Sequence, residues 1–168
     1  MRVAAFCGYS GSGKTTAAEA AIRELVRRGL RVASVKSVHA PVLLDVPGKD
    51  TWRHAQAGAE PVVAVAREGM AIVLRRPWSL LELSRRLDAD LLVVEGLKRL
   101  PLPNVVCARN AGEAVELAGP RTFAVSGPIA DASEELPGLP VLVRTHDGPR
   151  LAELILGHAA ELEAGWDG

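Results

Sequence analysis

Residues 8–15 read Gly-Tyr-Ser-Gly-Ser-Gly-Lys-Thr and satisfy the pattern G-x-x-x-x-G-K-[ST]. No other stretch constrains the chain as strongly, because a loop of this kind works only between a strand and a helix. Glycines at 8, 11 and 13 let the backbone curl around a phosphate and turn several N–H groups inward. Lys14 is placed to reach the β- and γ-phosphates as a point charge, and the Thr15 hydroxyl to ligate Mg²⁺. A helix beginning here would aim the positive end of its dipole at the same anion. Gly8, Ser10, Gly11, Ser12, Gly13, Lys14, Thr15 and Thr16 are therefore the candidate nucleotide-binding residues, and Lys14 is also a catalytic candidate.

The flanks supply the required context. Arg2–Cys7 reads as a short buried strand, and Thr16–Arg28 as a helix rich in Ala, Glu, Leu and Arg that Gly29 stops. Arg31–Lys36 is the next strand, completing a right-handed βαβ unit. A long connection follows from Ser37 to Lys49, with prolines at 41 and 47 and no clear period. Connections of this length in a compact domain are usually functional or mobile. Asp50 is the expected cap of a short helix that reaches Ala57.

Pro61–Ala66 and Met70–Arg75 are expected to pair as a hairpin across Arg67-Glu68-Gly69, an antiparallel excursion over residues 61–76. Ser79 with Glu82 forms a capping box for a helix running to about Leu87, with Trp78 stapling its start. Leu91-Leu92-Val93-Val94-Glu95-Gly96 is the second informative stretch. Its continuous apolar run suits a central parallel strand, and Glu95 ends it where open α/β sheets bind ligands. There the carboxylate would hold Mg²⁺, directly or through a water, in the role usually filled by Asp. Val105–Arg109 reads as a strand ending in Arg109, which is either a surface arginine or, near the phosphates, a catalytic candidate that would stabilise charge. A short helix is expected over Asn110–Ala118, then strands at Thr122–Ser126 and Val141–Arg144. A final amphipathic helix is capped by Asp147.

The 168 residues are expected to form one nucleotide-binding domain over 1–168. Its class is α/β, the P-loop NTPase architecture with a mostly parallel central sheet flanked by helices. Formal net charge is zero, so bulk attraction to nucleic acid or an anionic membrane is not indicated. The absence of a long apolar run and of a signal peptide makes a cytoplasmic location the expectation. Cys7 and Cys107 lack metal-ligand spacing and each falls in a strand, where a cysteine acts as a small buried apolar residue. The four histidines are scattered, which argues against a zinc site.

Several stretches together resemble the MobB family of molybdopterin-guanine dinucleotide biosynthesis proteins. The loop and its extension, GYSGSGKTT at 8–16, is one. Pro47-Gly48-Lys49-Asp50 followed by Trp52, Arg53 and Ala57-Gly58-Ala59 is more specific. Glu95-Gly96-Leu97-Lys98 and Arg109 also match, as do Lys36, His39 and Asp45 in and beside the connection, where Ser37, Ala40 and Pro41 depart from the family pattern. The resemblance covers residues 1 to about 110. It implies a GTP- and Mg²⁺-binding homodimer with slow GTPase activity. That homodimer would assist molybdopterin guanine dinucleotide synthase, a nucleotidyltransferase that joins GMP to molybdopterin, with molybdopterin itself a candidate ligand. Asp45 and Asp50 are the carboxylates available to orient water. No N-K-x-D or T-K-x-D guanine motif is present, so the guanine preference rests on the resemblance alone. Two other readings use the same loop: a small-molecule kinase, and a non-catalytic adaptor gated by nucleotide.

Overall fold

A computed structural model describes residues 1–38, 45–76, 79–132 and 135–163. The chain divides into two compact units, Met1–Ser37 with Ser79–Gly168, and Val38–Trp78. In chain order the elements are β1 (Arg2–Cys7), α1 (Lys14–Arg27), β2 (Val32–Lys36), α2 (Asp50–Gln56), β3 (Val62–Ala66), β4 (Gly69–Val73) and α3 (Leu80–Ser84). There follow β5 (Leu91–Glu95), β6 (Asn104–Cys107), α4 (Ala111–Leu117), β7 (Thr122–Ser126), α5 (Pro128–Ala132), α6 (Gly148–His158) and β8 (Ala160–Glu161).

In the larger unit five parallel strands lie in the order β2-β5-β1-β6-β7. The apolar runs of β1 and β5 belong at the centre because both their faces are covered. Alternation along each strand divides the core in two. Ala4, Phe6, Leu91 and Val93 pack on one side with Ala17, Ala21 and Leu25 of α1 and Leu151 and Ile155 of α6. Val3, Ala5, Leu92 and Val94 pack on the other with Leu80 and Leu102. The alanines of α1 let α6 approach so closely that a Cβ on Gly148 would lie 2.5 Å from the Ala20 carbonyl oxygen. Cys7 and Cys107 are buried free thiols, and burial pushes them up to about 11 and about 12. They are inert packing residues, as their strand positions imply.

The smaller unit holds α2 and the two-stranded sheet of β3 and β4, paired antiparallel. The expected hairpin is present. One face carries Val63, Val65, Met70 and Ile72, all exposed, with Val63 opposite Ile72 and Val65 opposite Met70. Among the described residues no helix is long and apolar enough to cross a membrane.

Several boundaries differ from the sequence expectation. Lys49, not Asp50, is the N-cap of α2, and Asp50 is its first helical residue, where its charge complements the helix dipole. The Ser79–Glu82 capping box forms, but α3 ends at Ser84, whose hydroxyl donates back to the Leu81 carbonyl at 2.9 Å. The expected staple at Trp78 lies outside the described residues, as does His39 of the connection. β6 stops at Cys107, because the Arg109 N–H turns to the Glu113 carboxylate. The stretch 141–144 is no strand but a single bridge beside β7. Past it the Thr145 N–H donates to Asp131 Oδ1 at 2.8 Å and its hydroxyl to Oδ2 at 2.6 Å. Asp131 sits on α5, which no local pattern announced. Nor did any pattern announce β8, two residues that pair antiparallel with Arg2 and Val3.

Candidate nucleotide-binding site

The loop between β1 and α1 opens at the C-terminal ends of the parallel strands, where α/β sheets place ligands. Gly8 leaves β1 hard against β6. Its φ is +156°, and an added Cβ would lie 2.2 Å from the Cys107 carbonyl oxygen and 2.5 Å from Ser12 Oγ. Only glycine permits that approach. Gly13, in the left-handed region at φ +85°, delivers the chain into α1. Among the described residues no side chain caps α1 and no acidic residue occupies its first turn, so its leading N–H groups and dipole face the loop. Ser12 Oγ is buried without a hydrogen-bond partner among the described residues.

Lys14 Nζ donates to the Tyr9 carbonyl oxygen at 2.6 Å, which folds the ammonium across the loop. The Tyr9 ring is anchored outside it. Its hydroxyl donates to Glu116 of α4, and Lys98 Nζ stands 4.5 Å from the ring centroid. Glu116 holds the phenol above its ordinary range.

Glu95 ends β5 and its side chain is only 16% exposed. The register sets it beside Phe6 of β1 and Lys36 of β2. Thr15 Oγ1 donates to Glu95 Oε1 at 2.9 Å. Two cis ligands of an octahedral Mg²⁺ with bonds of about 2.05 Å lie about 2.9 Å apart. The threonine and carboxylate oxygens thus fit the edge of such a site. Among the described residues no cluster of three His, Cys, Asp or Glu side chains is present. That also suits Mg²⁺, which takes one or two protein oxygens and completes its shell with phosphates and water.

The other candidates are placed differently. Arg109 is already paired: its N–H and Nε donate to Glu113 at 2.9 and 2.8 Å. The pairing raises the guanidinium and lowers the carboxyl from their ordinary values. Asp45 and Asp50 belong to the smaller unit. Asp45 Oδ1 accepts from the Thr51 hydroxyl at 2.7 Å and the Val46 N–H at 2.9 Å, with Arg75 Nη2 3.5 Å from Oδ2. Asp50 is 90% exposed and has Arg53 at 3.9 Å.

Two residues gain a place in the site that the sequence did not assign. Lys36 Nζ lies 3.1 Å from Glu95 Oε1; the sequence marked it as a cation ending a strand and as a match to the family pattern, without a role in the site. Gly127, at φ +92°, backs the loop: a Cβ there would lie 2.5 Å from the Ser12 carbonyl oxygen and 2.7 Å from that of Ala108. A glycine followed by proline reads only as a turn, so nothing local marked it.

Comparison with known proteins agrees with this geometry. The molybdopterin-guanine dinucleotide biosynthesis adapter protein of Haemophilus influenzae is 41% identical over 108 residues, covering 61% of each chain. That of Escherichia coli is 33% identical over 113 residues, covering 63% of this chain and 65% of its own. The match thus spans under two thirds of the length of these relatives. The crystal structure of Bacillus subtilis MobB superposes with a TM-score of 0.75 at 27% identity, covering 96% of this chain and 100% of that one. The family model described as molybdopterin guanine dinucleotide synthesis protein B matches residues 3–126. The chain, with its glycine loop, Thr15–Glu95 pair and five-stranded parallel sheet, belongs to the MobB family.

Proposed function

We propose that this chain binds GTP with Mg²⁺ and serves as an adapter in molybdopterin guanine dinucleotide synthesis, assisting the nucleotidyltransferase that joins GMP to molybdopterin. The observation that carries the reading is the convergence of Lys14, Thr15 and Glu95 at the mouth of a loop built from glycines and an uncapped helix end. Lys14 would exchange its Tyr9 carbonyl contact for phosphate oxygens, and the N–H groups at the start of α1 would bind the same anion. Thr15 and Glu95 would hold Mg²⁺, which neutralises charge developing on the phosphates when bound. The guanine preference and the enzyme partner are inferred from the family. The adapter descriptions of the H. influenzae and E. coli relatives support an assisting role over an independent enzyme. The exposed apolar face of the β3–β4 hairpin supports a homodimer, since a two-stranded sheet is marginal without a covering partner.

Glu95→Gln tests the site. It keeps the shape and removes the charge, so GTP affinity in Mg²⁺ should fall by about tenfold while affinity in chelator stays within about twofold. Equal losses under both conditions would make Glu95 a structural residue.

The pairing of Arg109 with Glu113 bears on turnover. An arginine acting in trans or in cis on the γ-phosphate is worth roughly 10³–10⁵ in rate, and this one is engaged elsewhere. Hydrolysis of GTP by the chain alone is therefore expected well below ~1 s⁻¹, measured as phosphate release. Many turnovers per second would point to an independent NTPase, and transfer of the phosphoryl group to a small acceptor would point to a kinase.

A further inference from the structure

The chain uses sixteen arginines and only four lysines. Three of those four stand around the phosphate loop. Lys14 lies across it, Lys98 rests over the Tyr9 ring, and Lys36 contacts Glu95. Arginine is this chain's ordinary cation. Lysine in these places points to a compact ammonium that lodges among oxygens as a point charge and relocates on a flexible stem.

Lys36 shows the need most clearly. Its Nζ is 3.1 Å from Glu95 Oε1 and 3.4 Å from Thr15 Oγ1, the two oxygens that fit a Mg²⁺ edge. A carboxylate only 16% exposed is costly to leave without a counter-charge. The lysine side chain, however, is 57% exposed, so its hold is weak and reversible. A monovalent and a divalent cation repel strongly when both sit on one carboxylate oxygen. A groove of about 200 Å³, lined in part by Ile22, Ser34, Lys36 and Glu95, opens beside the pair and gives the lysine stem room to move.

We propose that Lys36 is an exchangeable counter-cation. It neutralises Glu95 until Mg²⁺ displaces it, and then moves to the terminal phosphate of a bound triphosphate. The site would thereby register triphosphate and metal together. A bound diphosphate lacks the group that receives the displaced ammonium. This role rests on the nucleotide reading above and adds a residue to it.

Calorimetric titration of GTP and GDP, each with Mg²⁺ and with chelator, tests the role in the native chain and in Lys36→Met. The preference for GTP over GDP in Mg²⁺ should fall by about tenfold in the variant, the loss of one charge-assisted contact. With GDP, half-saturation by Mg²⁺ should move several-fold lower, because the competing cation is gone. Lys36→Gln gives the same readings should the Met variant fold poorly. Native nucleotide binding with both quantities unchanged in the variants, or an equal loss for GTP and GDP, would overturn the exchange role alone. Failure of the native chain to bind either nucleotide would sink the site reading and this role with it.

Discussion

Lys14→Ala is expected to weaken GTP binding by about 100-fold, with the melting temperature within about 2 °C of the native value. The ammonium lies over the loop rather than in the core, and among the described residues it donates to the Tyr9 carbonyl oxygen. Its removal leaves β1, α1 and their packing intact, so little folding energy is lost. Phosphate binding loses a charge-assisted contact worth roughly 1.5–3 kcal/mol, together with Coulomb attraction over the two terminal phosphates. Calorimetry gives the affinity and a thermal scan the stability. Native-like affinity in the variant would remove the glycine loop from the binding site.

Gly127→Ala is expected to act in the opposite proportion, through the fold. The residue is at φ +92°, which an alanine adopts only under strain. The added methyl would also fall 2.5 Å from the Ser12 carbonyl oxygen, 2.7 Å from that of Ala108 and 2.9 Å from the Ala108 nitrogen. All three atoms are backbone, so no side chain can swing away. Backbone strain and overpacking together should cost about 3 kcal/mol or more, which for a chain of this size lowers the melting temperature by roughly 10 °C. Because Ser12 belongs to the loop, the surviving folded protein should also bind GTP more weakly. Gly119→Ala is the control: a Cβ there meets nothing within 4 Å. Equal melting temperatures for the two variants would show that Gly127 does not support the loop.

These two positions mark where local pattern ends and tertiary structure begins. Lys14 was legible because a phosphate loop is a contiguous device. Its glycines, lysine and threonine act through backbone conformation and short reach, so spacing along the chain specifies it. The apolar run of β5 ending in Glu95, the Ser79–Glu82 capping box and the Asp147 cap of α6 were legible for the same reason. Each is decided within a few residues by periodicity or by a side chain that reaches its own backbone.

What remained hidden depends on strand order. Lys36 meets Glu95 only because β2 pairs with β5 and not with β1, and Gly127 meets Ser12 only because β7 lies beyond β6. Arg109 read equally as a surface residue or as a group near the phosphates, and the fold pairs it with Glu113 one helical turn away. That pairing competes with any other use of the charge. The stretch 141–144 has strand composition, but Asp131 captures Thr145 and the ladder ends at one bridge. The sequence by itself determined the loop, the strand that carries Glu95 and the α/β class, because those follow from local conformational preference. Only the tertiary structure decided which cation stands on Glu95 and which glycine supports the loop, because both are set by long-range packing that no neighbouring residue encodes.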